Sequence, residues 1–210
     1  MMTTGFDREL KQLYGPSTKD VSIVEIPEMP FLMIDGAGNP NTALAFSQAV
    51  EALYGVAYTL KFMLKKGPLA LNVAVMPLEG LWWAEDMASF TAVDKDSWKW
   101  TLMIAQPPEV SADMYQQAVA QSAKKKPDLP LDRLRLAPFA EGLSAQIMHI
   151  GPFAAEAPTI ERLHRFIAEQ GYQRRGKHHE IYLSDLRRTA PEKLKTVIRQ
   201  PIERVIGKEG

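Results

Sequence analysis

The chain has 210 residues with 25 lysines and arginines against 25 aspartates and glutamates. That is enough for one large domain or two small packed halves, and it leaves no basic field to draw nucleic acid or an anionic membrane surface. Without cysteine there is no disulfide framework, thiolate zinc site or cysteine nucleophile, which suits a reducing cytoplasm.

In chain order, the opening MMTTGFDREL carries charges where a secretory signal needs an apolar run, and no later stretch approaches membrane-span length. The expectation is a cytoplasmic protein with no membrane partner. Phe6 to Tyr14 reads as a short helix ended by Gly15-Pro16. Val21–Ile26 alternates and Phe31–Ile34 is a buried apolar run, so both read as strands. After the Gly36–Pro40 loop, Asn41 or Thr42 is the expected N-cap of a long helix. Phe46, Ala49, Val50, Leu53, Val56, Leu60 and Met63 form its stripe, and Lys65-Lys66-Gly67 its end. Strands are predicted over Ala70–Met76, Gly80–Ala84 and Ser97–Ala105. Ser111 caps a helix running to Lys124-Lys125-Lys126, a charge run read as a solvated helix end. There follow a strand Leu143–Ile150, a helix Thr159–Gln170 and a strand His178–Leu183. The tail, with Pro191 near its start and Leu194, Val197 and Ile198 as an apolar stripe, reads as a C-terminal helix over 189–205.

The second half repeats the order of the first. Phe31–Gly36 and Ala145–Gly151 each precede a long amphipathic helix and further strands. The repeats run approximately over 21–106 and 134–185. Two such strand–helix–strand–strand units predict an α+β fold with one antiparallel sheet, two long helices on one face and a ligand groove on the other.

Chemistry is expected in the strand His178–Leu183. Alternation sends Ile181 and Leu183 toward the helices and His178, Glu180 and Tyr182 into the groove. Four tryptophans, Trp82, Trp83, Trp98 and Trp100, fall within a short span, and either Trp82 or Trp83 shares a face with Trp100. Tyr54 and Tyr58, four residues apart, form a second aromatic pair. Such rings present flat apolar surface and attract cations. The bland alternatives are a tryptophan core and a salt-bridged Glu180 at a sheet edge. The four histidines lack metal-ligand spacing and Gly36-Ala37-Gly38 lacks the full phosphate-loop pattern, so no metal and no cofactor are expected.

The duplicated order, the strand His179-Glu180-Ile181-Tyr182-Leu183-Ser184-Asp185 and the following Arg187-Arg188-Thr189-Ala190-Pro191-Glu192-Lys193-Leu194-Lys195-Thr196 resemble the GyrI-like small-molecule-binding proteins, a stand-alone branch in particular. The resemblance implies a single domain over 1–210 built of tandem SHS2-like repeats around a ligand cleft, as in the drug-sensing domains of BmrR-type and Rob-type regulators. In those sensors an acidic residue at the base of an aromatic cleft meets cationic drugs, and the matching position is Glu180. Nothing before Val21 is long enough for a DNA-binding module, which separates this chain from the regulators. Stand-alone members similar to it hydrolyse the strained cyclopropane of alkylating antibiotics with a groove carboxylate and tyrosine, roles that Glu180 and Tyr182 fit. The implied function is a binder of planar apolar or cationic molecules with hydrolase chemistry toward cyclopropane-containing natural products. The alternative is a non-enzymatic protein that modulates a partner such as DNA gyrase.

Overall fold

The computed structural model describes residue 10 and residues 12–85, 95–185 and 187–205. The chain divides into two compact units, one contiguous (Glu28–Phe139) and one made of Met1–Pro27 with Ala140–Gly210. Of the expected helix Phe6–Tyr14, residues 10 and 12–14 are helical and the rest lie outside the described residues.

In the contiguous unit the elements are β2 (Met29–Ala37), α1 (Leu44–Lys66), β3 (Leu78–Trp83), β4 (Lys99–Ala105), α2 (Ala112–Lys125) and β5 (Arg135–Phe139), with β1 (Ser22–Ile26) preceding them in the other unit. The strands are antiparallel in the order β3-β4-β2-β5. The apolar stripe of α1 is buried along Ala49, Leu53, Val56, Leu60 and Leu64, as its 3.6-residue period requires. Ser111 caps α2 by accepting from the Met114 amide at 3.2 Å, as its position before the helix predicts. The cap of α1 differs from expectation. Ala43 takes that position without a side-chain bond, because the Asn39 carbonyl already accepts from the Thr42 and Ala43 amides in a preceding turn.

Residues 70–76, expected as a strand, form none. Ala70 adopts a left-handed φ of 46°, which breaks the extended run at its first residue. Val73, Ala74 and Val75 instead line a small cavity with Ala57 and Leu64 of α1. Val73 and Val75 are thereby half-buried without a ladder, and Ala74 is exposed.

Gly36 has a packing reason. It lies directly opposite Trp100, whose indole is fully buried, and a Cβ built at Gly36 would stand 2.1 Å from that ring. The ring covers the glycine and occupies the space a side chain would need. Gly36→Ala is therefore expected to lower stability by about 1–3 kcal/mol through overpacking, read by chemical denaturation. A variant as stable as the parent would show that Trp100 moves freely, contrary to this packing.

The second unit contains β1, β6 (Gly142–Ile150), α3 (Ala157–Glu169), β7 (Tyr172–Arg174), β8 (His178–Tyr182) and β9 (Lys195–Arg204). Its antiparallel order is β1-β6-β9-β8, with β7 also on β9. The two units thus share one topology: β2-α1-β3-β4 ordered β3-β4-β2, and β6-α3-β8-β9 ordered β8-β9-β6. β5 and β1 are the corresponding edge partners of β2 and β6.

The predicted C-terminal helix is a correction. Pro191–Lys193 does form a single tight turn, but residues 195–204 are β9, paired on both sides. Thr196-Val197-Ile198 is a β-branched run, and Pro201 would break a helix interior. In the sheet Pro201 is tolerated because it falls between the β8 pairing, which ends at Arg199, and the β7 pairing, which begins at Ile202.

Alternation along β6 and β9 sorts two different interiors. Ala145, Ile147, Ile198 and Ile202 pack on Leu163 and Ile167 of α3. On the opposite face Arg199, buried to 1 % exposure, donates from Nε to Gln146 (3.0 Å), from Nη1 to Glu141 (3.2 Å) and from Nη2 to the Leu13 carbonyl (2.6 Å). His179 Nδ1 lies 2.9 Å from the same Glu141, and Gln146 donates to the Gln12 carbonyl at 3.1 Å. This network fastens the N-terminal turn to the sheet.

Candidate functional site

Side chains on β8 alternate, so His178, Glu180 and Tyr182 share one face. Glu180 is the hub. Tyr182 donates its hydroxyl to Oε2 at 2.9 Å, and His178 Nε2 stands 3.1 Å from Oε1. The carboxylate retains only 15 % of its side-chain exposure. Burial pushes its pKa up, but the hydrogen bond and charge of His178, the Tyr182 hydroxyl and the charge of His179 outweigh that, so Glu180 titrates below the usual glutamate value. Phe153 closes on the Tyr182 ring edge-to-face at 5.6 Å.

The face these residues occupy is the helix-bearing one, not the opposite face expected from the sequence. Glu180 pairs with Ile198, which packs on α3, and Tyr182 pairs with Thr196 two residues along the same face. Ile181 pairs with Val197 on the reverse side. Period-two alternation settles which residues go together but not which set meets the helix.

β6 adds a residue the sequence did not single out. His149 lies opposite Thr196, which lies opposite Tyr182, so the three form one row across β6, β9 and β8. The His149 ring is fixed by Thr159 of α3, with Nδ1 at 3.0 Å from the hydroxyl. Burial lowers its pKa, against the opposing pull of the Pro152 carbonyl and the Glu180 charge. A sequence signal did exist: His149 is two residues beyond Ile147, on the alternation of an otherwise apolar strand. Its partner Thr196 could not be found that way, because the tail read as a helix.

The other histidine near this surface is His164 on α3, beside Arg174 at 3.1 Å. Burial first, then the charges of Arg174 and His178, push it down to about 4. Its folded pKa lies below its unfolded value of 6.5, so the neutral form stabilises the fold above pH 6.5 and that contribution drains away as pH falls toward 4. An NMR titration is expected to show His164 still neutral at pH 6. A midpoint near 6.5 would remove it from the buried surface.

The aromatic residues divide into two kinds. Trp82, and not Trp83, pairs with Trp100 across β3 and β4. Phe46 of α1 stacks on Trp82 at 5.9 Å and meets Trp100 edge-on at 5.3 Å. Both indoles are core, so their expected place in a ligand wall is corrected: the rings fill the space beneath α1, above Gly36. Trp98 is half-buried against Trp82 at 5.6 Å with Lys95 over its ring, and Trp83 is half-buried. Tyr54 and Tyr58 stand 6.3 Å apart on α1, and Tyr58 is half exposed, as is Phe62 one turn further. These open rings all belong to the contiguous unit, whereas Glu180, Tyr182 and His178 belong to the other.

Among the described residues no helix is long and apolar enough to cross a membrane. No curated protein matches the chain. A solved structure of an uncharacterized conserved protein from Listeria innocua is 40 % identical, with a TM-score of 0.87 over 94 % of this chain and 98 % of that one. A structure described as a hydrolase from Listeria innocua is 38 % identical, with a TM-score of 0.81 over the same shares. The EcmrR C-terminal domain, at 12 % identity, a TM-score of 0.54, and 89 % and 98 % coverage, shares the fold. The family model of the GyrI-like small molecule binding domain matches residues 19–203, and the chain belongs to that family.

Proposed function

We propose that the chain captures planar aromatic or cationic small molecules at the Glu180 surface and hydrolyses electrophilic natural products that carry a strained cyclopropane, protecting the cytoplasm. The observation that carries the reading is a nearly enclosed, ionised carboxylate held between a tyrosine hydroxyl and a histidine. Such a group favours a cation, since both its hydrogen bonds stabilise the charged form. The likeness to relatives described as hydrolases supports the catalytic half.

In the hydrolytic step water forms a C–O bond to the cyclopropane carbon, one ring C–C bond breaks, and its electron pair moves into the conjugated carbonyl, giving a phenolate. Glu180 accepts the water's proton and the phenolate finally receives one, so the sum is addition of water. Tyr182 turns its hydroxyl from Glu180 to the developing phenolate oxygen. Phe153, edge-to-face on Tyr182, is the proposed aromatic contact, and His178 holds Glu180 in place. The test is product analysis of a cyclopropane-containing alkylator incubated with the protein. Unchanged substrate, or equal turnover by Glu180→Gln, would sink the catalytic half.

A further inference from the structure

On the helix-covered face of each unit, the final row across three strands has a different character. In the contiguous unit it reads Gly36–Trp100–Trp82 and is packed with indole. In the other it reads His149–Thr196–Tyr182 and is polar. Within that polar row, His149 Nε2 and Thr196 Oγ1 are buried with no hydrogen-bond partner among the described residues. The residues are 6 % and 1 % exposed. The Pro152 carbonyl is near enough to favour a charged His149 ring, yet no hydrogen bond of ordinary geometry reaches Nε2.

Each such atom costs about 1–3 kcal/mol if left unpaired. Directly opposed residues on antiparallel strands hold their Cβ atoms about 4.5–5.5 Å apart, so one small group can reach both. The ring cannot turn away, because Nδ1 is engaged by Thr159. Gly151 keeps the approach open: its φ of 140° suits glycine, and a Cβ there would stand 3.1 Å from Nε2.

We propose that His149 Nε2 and Thr196 Oγ1 form a subsite for a single hydroxyl group beside the Glu180–Tyr182 pair. The chemistry selects a neutral O–H. The imidazole is held toward its neutral form by burial, threonine both donates and accepts, and the Glu180 carboxylate repels an anion. The hydroxyl comes from water or from a phenol or alcohol on the ligand. The inference rests on this surface being a ligand site, but not on turnover.

The experiment is crystallography of the full chain at a resolution that shows ordered water, alone and soaked with 2-naphthol, with Thr196→Val in parallel. One oxygen within about 2.7–3.2 Å of both atoms is expected in the parent and not in Thr196→Val. Its presence in the unsoaked crystal assigns the subsite to water, and its replacement by the naphthol oxygen assigns it to a ligand hydroxyl. A direct His149–Thr196 hydrogen bond, or no oxygen near both atoms in either parent crystal, would overturn the subsite. Loss of turnover in Glu180→Gln is read separately, so one reading can fail without the other.

Discussion

Replacing Arg199 by leucine is expected to lower the unfolding free energy by about 3–5 kcal/mol, the range for breaking a buried ion pair by removing one partner. The guanidinium serves three acceptors at once, and the Glu141 carboxylate, its side chain at 1 % exposure, would keep only His179. The Leu13 carbonyl and the Gln146 amide oxygen would lose their donor as well. Glu141→Gln should cost a comparable amount, since it leaves the buried guanidinium without its counter-charge. The measurement is urea denaturation of the three proteins. An Arg199→Leu variant within about 1 kcal/mol of the parent would mean that the network fastens nothing.

The same network sets a pH dependence. Burial pushes the Glu141 carboxyl up, but the neighbouring His179 and Arg199 charges and hydrogen bonds outweigh it, and the folded pKa lies below the ordinary glutamate value of 4.5. A depressed carboxylate stabilises the fold above its unfolded pKa and loses that contribution as pH falls through the folded one. Glu180 acts in the same direction, and His164 does so at higher pH. The thermal midpoint should therefore fall continuously on acidification, beginning near pH 6.5 with His164 and steepening below 4.5. A midpoint flat from pH 7 to 4.5 would contradict the His164 assignment, and one that does not steepen below 4.5 would contradict the carboxylate assignments.

What could be read from sequence follows the periods. The helices α1 and α3 announce themselves by apolar stripes, α2 by its Ser111 cap and closing lysines, and β6 and β8 by runs bounded with glycine or charge. The grouping of His178, Glu180 and Tyr182 needs nothing beyond alternation. The helix-facing side of that group did not follow, because it depends on which face α3 covers. β9 was misread since Leu194, Val197 and Ile198 fit a helical stripe as well as a strand, and only pairing with β6 and β8 decides between them. That error concealed Thr196 and Arg199, and with them both the polar row and the buried network. The tryptophans illustrate a different limit: composition shows that aromatic rings cluster, while Phe46 and Gly36 determine that Trp82 and Trp100 are enclosed.

The sharpest test of the site sets a cation against its neutral shape. N-methylacridinium and acridine at pH 7.5 present nearly the same planar surface, one permanently charged and one not. If Glu180 is the cation partner, Glu180→Gln should weaken N-methylacridinium binding by about 10- to 100-fold, or roughly 1.5–3 kcal/mol for an interaction with a charged group. Acridine affinity should stay within about twofold, because the aromatic surface is untouched. Glutamine preserves volume and can still accept from Tyr182, so a change in both ligands would point to collapse of the site rather than to charge. The pH arm follows from the depressed Glu180 pKa: the carboxylate stays ionised from pH 8 to 5, so parent affinity for N-methylacridinium should be flat over that interval. A fall near neutrality would mean that the negative charge of Glu180 is lost or offset there. Tyr182→Phe separates two roles of the hydroxyl. Freed of one donor, the carboxylate has an acceptor oxygen to spare, so cation binding should hold or tighten while turnover of a cyclopropane substrate is lost. Equal loss of both would make Tyr182 a packing residue for Phe153 and Glu180 rather than the donor to the developing phenolate.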